Sequence, residues 1–398
     1  MTNKEITKVI FNNSEISALY YGDVLIWKKG NGSQSGDLNF SGVFNDTVTG
    51  SNNTVTATFE DGTTETINIP YDSTTKEFNY TFEKPLQKMK LENKGIYKSI
   101  THFPNQSNLI DCHSYFNGCS AENIDLSSFD ASKATNMNSM FYNCQSLKTI
   151  DLSSIDTSKV TKMSGLFYNC KALKTIDLSS IDTSKATDMS SLFFNCESLS
   201  VIDLSSINTL SLNRIESMFY NCQSLKAIDL SSINTSKVPY MGHLFFNCNS
   251  LTELDLSSFN TANCTDMEEM FWQCSSLTTL DLSSFNTDRV TNMNGIFDNC
   301  FELNTIHFGN FNSSEADGST IFQSCGALTT VTGAFEGTRK DLYLDISPLT
   351  NDSAMVFING LEKVYSTKTI RFNPFVYDTL TEEQIAVATS KGWTVISA

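Results

Sequence analysis

The sequence predicts an α/β solenoid, a stack of repeated strand-and-helix units with one parallel sheet, preceded by small all-β segments. A cysteine returns every 26 residues in the middle of the chain and every 25 at each end, always three residues after a Phe. The phrase Ile/Leu-Asp-Leu-Ser-Ser occurs seven times between Ile124 and Ser284. The repeat cysteines are Cys119, Cys144, Cys170, Cys196, Cys222, Cys248, Cys274, Cys300 and Cys325. A period of 20 to 50 residues is typical of solenoids, in which each unit buries its apolar face against its neighbours.

The copy from residue 147 to 170 shows the predicted unit. Residues 147–152 alternate between apolar and polar, which indicates a short strand with one buried face. Val160, Met163 and Phe167 then follow at the spacing of one helix face. We therefore expect a convex helix of two to three turns that ends near Asn169, where the chain returns to the next strand.

The eleven cysteines are expected to be buried free thiols. Each repeat Cys occupies the same corner beside the repeated Phe, and unpaired Cys is among the most buried residue types. Cys112 and Cys264 fall at positions that Met163 and Val160 fill in another copy. The cysteine side chains of stacked repeats are expected to point the same way rather than toward each other, which disfavours disulfides between them. The sequence also has no Cys-x-x-Cys or paired His of the kind that binds zinc.

The composition excludes several classes of partner. The 398 residues are 40% hydrophobic, and the formal net charge is −17 with a pI near 4.6. Because there is no basic stripe, we expect neither nucleic-acid binding nor docking on an anionic membrane. The chain has no run of 18 apolar residues to span a bilayer, and its start lacks the features of a secretory signal. We therefore expect folding in a reducing cytoplasm, which suits free thiols.

Four regions are predicted along the chain. Residues 1–34 form a β anchor segment and linker, residues 35–95 a small β-sandwich-like domain, residues 96–375 the solenoid, and residues 376–398 a C-terminal cap. Asp61-Gly62 lies between two alternating runs and is a strong hairpin signal. In the cap, Thr381 is the predicted N-cap of a helix, and Trp393 lies in a predicted last strand.

The phrase LKTIDLSSIDTSKVTKMSGLFYNC, residues 147 to 170, resembles the BspA-like leucine-rich repeats of bacterial surface proteins and phage-encoded proteins. The resemblance is specific over residues 116–325 and weaker to about residue 375. It implies a leucine-rich-repeat fold and an extracellular adhesive or binding role without catalysis. The start, EITKVIFNNSEISALYYGDVLIWKK, is similar to N-terminal segments of phage tail and fibre proteins. That similarity implies a virion protein, which lysis releases without a signal peptide.

An acidic column is the main candidate binding surface. Stacked units place one Asp and one Ser each on the exposed sheet face, where solenoids present extended binding surfaces. The candidate ligand-binding residues are Asp125, Asp151, Ser153, Asp177, Ser179, Asp203, Ser205, Asp229, Ser231, Asp255 and Asp281. Neighbouring carboxylates repel by about 1 kcal/mol in water, which Ser hydroxyls, Lys148 and its equivalents, or a bound calcium ion could offset. The alternative is a solvated face with Asp–Ser and Asp–Thr hydrogen bonds only.

These observations favour a non-enzymatic, virion-associated binding protein of the phage tail-fibre type. Catalysis is not expected, because the histidines are isolated and no phosphate loop or nucleophile elbow occurs. The N-terminal β region would contact other virion proteins, and the rod would contact a bacterial surface glycan or protein. We expect no required cofactor. The sequence leaves open whether the chain forms a homo-oligomer. The alternatives are a BspA-type adhesin on the bacterial cell surface, a structural decoration of capsid or tail, and a depolymerase of surface glycan.

Overall fold

The computed structural model describes residues 8–12, 15–21, 24–28, 39–44, 48, 53–83, 86–91, 94–102, 109–127, 129–314 and 320–398. Its main body is a parallel β-solenoid of about 11 turns with few helices. The prediction of a solenoid is therefore confirmed. Residues 28–37, KKGNGSQSGD, have the composition of a flexible linker, and only residue 28 belongs to the described residues. The boundaries of the four predicted regions stay predictions.

Three antiparallel strands come first, in the region predicted as a β anchor. They are β1 Lys8–Asn12, β2 Glu15–Tyr21 and β3 Val24–Lys28. They pair in the order β1-β2-β3, and the register shifts between Ile10 and Phe11 and between Leu19 and Tyr20. Each register shift adds local twist to the sheet.

Six further strands precede the repeats. They are β4 Asn39–Phe44, β5 Thr54–Phe59, β6 Thr64–Asn68, β7 Glu77–Thr81, β8 Leu86–Leu91 and, after a 3₁₀ turn at Lys94–Ile96, β9 Tyr97–His102. Strands β5 and β6 form the hairpin expected at Asp61-Gly62, where the Asp61 carboxylate accepts the backbone N–H of Thr63 at 2.9 Å. Phe44 and Phe78 stack in the core with ring centroids 4.4 Å apart.

Strand β9 joins this part of the chain to the solenoid. It pairs antiparallel with β4 on one side and parallel with β10, Asn123–Ile124, on the other. The sheet order is therefore β10-β9-β4-β7. Because β4 covers the free edge of β9, the first turn of the solenoid does not end in an open parallel strand.

Each copy of the repeat forms one turn of the solenoid, and the strands of neighbouring turns pair in parallel. The regular strands are β11 Thr175–Ile176, β12 Val201–Ile202, β13 Thr279–Asn286, β14 Thr305–Asn312 and β15 Thr330–Glu336. Thr175 pairs with Val201, and Thr279 pairs with Thr305. On another side of the solenoid, single parallel bridges join Asp111, Asn136, Lys162, Asp188 and Arg214 in sequence, and then Tyr240, Asp266 and Asn292.

The predicted convex helices are wrong, because the described residues of each repeat contain no helix. In a helix every backbone N–H would bond four residues back. Here the N–H groups alternate between two kinds of acceptor. Phe141 donates to the carbonyl of Leu166 in the next turn at 2.9 Å, whereas Tyr142 donates to Ser139 three residues back at 3.0 Å. The segment is therefore a chain of β-turns held to its neighbours by inter-turn hydrogen bonds.

Left-handed backbone positions make this chain of turns possible. Ser139 and Asn143 have φ of 55° and 60°, and Gly165 and Asn169 repeat the pattern at 58° and 61°. Asn and Gly adopt this conformation more readily than other residues, so their recurrence favours turns over a helix. Asn169, predicted as a helix end, is instead one of these turn residues. The apolar side chains still face inward, because each turn restores the same orientation.

The core is a set of stacked columns. All eleven cysteines are free and buried, which confirms the prediction for them. The repeat Phe rings stack nearly parallel, with neighbouring centroids 5.4 to 6.0 Å apart. Their column contains Phe116, Phe141, Phe167, Phe193, Phe219, Phe245, Phe271 and Phe297. Burial raises the pKa of Cys248 to about 12 and that of Cys119 to about 11.

Strand-and-helix units occur only in the last part of the described chain. The elements there are β16 Leu342–Leu344, α1 Asn351–Gly360, β17 Lys368–Phe372, α2 Pro374–Tyr377, α3 Glu382–Ser390 and β18 Trp393–Ser397. The three strands form a parallel sheet, β16-β17-β18. Thr381 caps α3 in a capping box with Gln384, so the predicted helix and last strand are confirmed. None of the helices in the described ranges is long and apolar enough to cross a bilayer.

Candidate functional site

The predicted acidic column forms one strip on the strand side of the solenoid. In each copy the Ile or Leu beside the Asp is buried or largely so, while the Asp and the first Ser face outward. We call this strip the Asp/Ser face. It contains Asp125, Asp151, Asp177, Asp203, Asp229, Asp255 and Asp281, with Ser127, Ser153, Ser179, Ser205, Ser231, Ser257 and Ser283. The structure thus brings all the predicted site residues together, and ligand binding by them stays a prediction.

Each Asp of this face also closes a turn of its own backbone. Its Oδ1 accepts the backbone N–H of the Ser two residues later, at 2.8 to 2.9 Å. This Asx turn is a common reason for an Asp to occupy a loop position. The repeated Asp therefore has a structural role in the backbone turn, in addition to the Asp–Ser hydrogen bonds that the sequence offers as an alternative.

Hydrogen bonding lowers the pKa of six carboxyls on this face, those of Asp151, Asp177, Asp203, Asp229, Asp255 and Asp281. For Asp203 the backbone N–H of Ser205 is the largest cause and the Ser205 hydroxyl adds to it. The neighbouring carboxylates Asp229 and Asp177 act in the opposite direction. The expected repulsion along the column is therefore offset by local donors.

A calcium ion was one expected source of compensation on this face. No group of three His, Cys, Asp or Glu side chains lies close enough to hold a metal ion in the part of the chain that the structure describes. Lys148, expected beside an Asp, instead forms an ion pair with Glu122 at 2.7 Å. Calcium binding therefore gains no support from the geometry.

A second repeated surface is a row of stacked aromatic side chains, one residue after each buried Phe. This aromatic row contains Tyr142, Tyr168, Phe194, Tyr220, Phe246 and Trp272, all half-buried. Neighbouring ring centroids are 4.1 to 4.6 Å apart and the rings are nearly parallel. Five steps of 4.1 to 4.6 Å between centroids give a row of roughly 21 Å. Because each ring covers the faces of its neighbours, mainly ring edges reach solvent.

An amide row runs directly beside the aromatic row. It contains Asn143, Asn169, Asn195, Asn221 and Asn247. The Asn169 amide nitrogen donates to the Asn143 oxygen, and Asn221 donates to Asn195 at 2.8 Å. Asn247 likewise donates to the Asn221 oxygen, so these side-chain amides bond between neighbouring turns in three of the four steps of the row. The two rows together make a surface of uncharged polar and aromatic groups on a strongly acidic protein.

The aromatic row ends at a small titratable cluster. His243 Nε2 lies 3.2 Å from a carboxylate oxygen of Glu269, one turn further along. Burial raises the pKa of Glu269, while His243 lowers it. Burial also raises the pKa of Asp298, which occupies the aromatic position in the turn after Trp272. The three groups mark the end of the uncharged surface.

One family profile matches the repeats, and its description is "Mycoplasma protein of unknown function, DUF285". The matches cover residues 84–202, 110–227, 148–254 and 213–335. Together they span well over half of the chain. The chain belongs to the DUF285 family. Among curated proteins no relative matches it.

The DUF285 matches include both repeated surfaces. The Asp/Ser face and the aromatic row lie between residues 125 and 283, within the matched ranges. Strands β16 to β18 and helices α1 to α3 begin after the last matched residue, 335. The repeated surfaces are therefore features of the DUF285 part of the chain, and the strand-and-helix units follow that part.

Proposed function

We propose that this DUF285 protein is a non-enzymatic binding protein carried on a virion, of the tail-fibre type, whose repeat rod contacts a bacterial surface. The observation that supports binding most strongly is the regular display of exposed groups. The Asp/Ser face repeats an Asp and a Ser over seven turns, and the aromatic row repeats a half-buried aromatic ring over six. An extended surface of this kind suits a partner that is itself repetitive, as cell-surface polymers are.

The thiols support a role without catalysis. A cysteine nucleophile needs a thiolate and partial exposure. All eleven cysteines are buried, and burial raises the pKa of Cys112 and Cys325 to about 12. The Asp of the Asp/Ser face are likewise occupied in turns of identical geometry, so no two of them form a distinct acid–base pair.

Binding of the fluorescently labelled full chain to whole bacterial cells tests the proposal. We expect saturable binding to at least one species in a panel of gut and oral bacteria. The triple variant Asp177→Asn, Asp203→Asn and Asp229→Asn keeps an oxygen for each turn and removes three charges from the Asp/Ser face. If this face contacts the cell, the variant binds at least about tenfold more weakly.

A matched control exists on a different row of the same repeats. Asp130, Asp156 and Asp182 also accept the N–H of a Ser two residues on, at 2.9 Å. The triple Asn variant at these positions should bind cells as the native chain does. Equal losses in the two triple variants would point to net charge rather than to the face. The virion location is tested separately, by mass spectrometry of purified particles.

A further inference from the structure

A pocket opens where the repeat ladder gives way to the C-terminal sheet. It has a volume of about 410 Å³, within the size range of small-molecule sites. Thr320 and residues 322–324 of the last repeat line one side, and β16, the turn after it and β17 line the other. We call this cavity the end pocket. The lining side chains that could contact a ligand are Gln323, Ser324, Tyr343, Asp345, Ile346 and Arg371.

The end pocket has an apolar floor and an ion pair whose two charges cancel. The Tyr343 and Ile346 side chains are 40% and 49% exposed, which is unusual for large hydrophobic residues in this chain. Arg371 Nε donates to Asp345 at 2.7 Å, a second guanidinium nitrogen bonds to the other carboxylate oxygen, and the guanidinium lies 4.8 Å from the Tyr343 ring centroid. The ion pair holds the polar groups in place and leaves no net charge on this side.

Two residues of the end pocket occupy the repeat positions of the aromatic and amide rows, one turn beyond Asp298, at which the aromatic row ends. Gln323 lies two residues before Cys325, the position that Tyr142 occupies before Cys144. Ser324 lies one residue before Cys325, at the position of the amide row, and has the same left-handed backbone with φ of 66°. A partner lying along the aromatic and amide rows would therefore pass Asp298 before it reaches the end pocket.

We propose that the end pocket binds one residue of a neutral saccharide. A sugar ring has an apolar face, which fits Tyr343 and Ile346, and hydroxyls at its edge, which fit Gln323, Ser324 and the remaining hydrogen-bonding capacity of the Asp345–Arg371 pair. The paired charges favour a neutral ligand over an anionic one. This inference rests on the proposed function and narrows the partner of the rod from a glycan or protein to a neutral glycan.

A glycan array with the labelled full chain tests the proposal. The probes are neutral oligosaccharides of glucose, galactose, mannose and N-acetylglucosamine, printed beside oligosaccharides that contain glucuronic or sialic acid. We expect binding to at least one neutral series. The variants Ile346→Ala and Gln323→Ala should each weaken that binding about fivefold or more, because they remove an apolar contact and a hydrogen bond.

The matched control is the variant Tyr365→Ala. Tyr365 is an aromatic residue in the same part of the fold, is 98% exposed and lies outside the pocket. The control variant should bind as the native chain does, and circular dichroism checks that all variants are folded. Binding to anionic glycans only, binding to none, or neutral binding that neither pocket variant changes would overturn the proposal. Whole-cell binding that persists in such a case leaves the proposed function standing and removes only the pocket.

Discussion

The thiol of Cys144 donates a hydrogen bond to the backbone carbonyl of Phe116 in the preceding turn, with the sulfur 3.1 Å from the oxygen. The same carbonyl accepts the N–H of Cys119 at 2.9 Å, so it links two turns. The contact recurs along the solenoid at 3.1 to 3.2 Å, from Cys170 to Cys325. Cysteine is thus a small buried side chain that also supplies a weak donor between turns.

Replacing one of these thiols should lower stability. Cys222→Ala removes a fully buried sulfur and its bond to the Phe193 carbonyl, which lies 3.2 Å away. We expect the free energy of unfolding to fall by about 1 to 2 kcal/mol, from the cavity and the lost donor. Urea unfolding followed by fluorescence measures this. Leu210→Ala, at a side chain 62% exposed, is the control and should change little. Equal stabilities of the native chain and the cysteine variant would contradict the role given to the sulfur.

The thiols should be unreactive in the folded protein. All eleven are buried, and a thiol reagent needs an accessible thiolate. At about pH 8, Ellman's reagent should therefore detect almost no thiol in the native chain and eleven after unfolding in concentrated guanidinium chloride. Rapid labelling of several cysteines before unfolding would show that the stacked core does not form as described.

Stability should decrease in alkali because of the same groups. Burial raises the pKa of Cys248 to about 12 and that of Cys264 to about 12, whereas an unfolded thiol titrates near 8.5. A raised pKa means that the stabilisation is complete below about pH 8.5 and is lost as the pH rises toward 12. With reductant present, we expect a lower urea midpoint at about pH 9.5 than at about pH 7.5, because the free energy of unfolding falls by about 1 kcal/mol for each thiol that ionises on unfolding. An unchanged or higher midpoint would count against thiol burial.

The Asp/Ser face should produce the opposite dependence in acid. The pKa values of Asp203 and Asp229 are lowered, with the N–H groups of Ser205 and Ser231 as the largest causes. A lowered pKa gives stability that is present above the unfolded value near 3.9 and is lost as the pH falls through the folded value. The double variant Asp203→Asn and Asp229→Asn keeps the oxygen acceptors and removes both titrations. Its thermal midpoint should therefore fall less than that of the native chain between about pH 6 and pH 3. Parallel pH curves would argue that the carboxylates are not engaged in these turns.

The aromatic row should contribute to stability as well as to the surface. Phe246 stacks on Tyr220 at 4.2 Å and on Trp272 at 4.3 Å between ring centroids. Phe246→Ala removes both contacts, so we expect a loss of about 1 to 3 kcal/mol in the free energy of unfolding. Phe301→Ala, at a side chain 50% exposed, is the comparison and should cost less. Similar effects of the two changes would indicate that the row adds nothing beyond ordinary surface burial.

Much of the core could be predicted from the sequence because repetition places equivalent residues on top of each other. The position of Cys170 three residues after Phe167 was enough to expect a buried thiol, and the structure confirms it. The helix prediction failed for a physical reason. Val160, Met163 and Phe167 have the spacing of a helix face, but a chain of β-turns with left-handed residues at Gly165 and Asn169 returns side chains inward at similar intervals.

The surfaces were harder to predict than the core. The Asp/Ser face follows from strand alternation, but the Asx turn of each Asp requires the backbone to bend at Ser153 and its equivalents. Predicting the aromatic row would require knowing that Tyr142 and Tyr168 of neighbouring turns stack directly on each other. That stacking depends on the register between the turns. The end pocket brings together residues 323, 346 and 371, far apart in the sequence and outside the regular repeat, so no periodic pattern indicates it.

The repeats form a ladder of turns and strands rather than strand-and-helix units. Far-UV circular dichroism of the full chain tests this most directly. The three α-helices of the described residues have 10, 4 and 9 residues, all after residue 350. We therefore expect a helix content well below the ~30% of ordinary globular proteins, with a spectrum dominated by β-structure and turns. A spectrum with strong minima at the helical wavelengths and about a quarter or more helix would contradict the ladder.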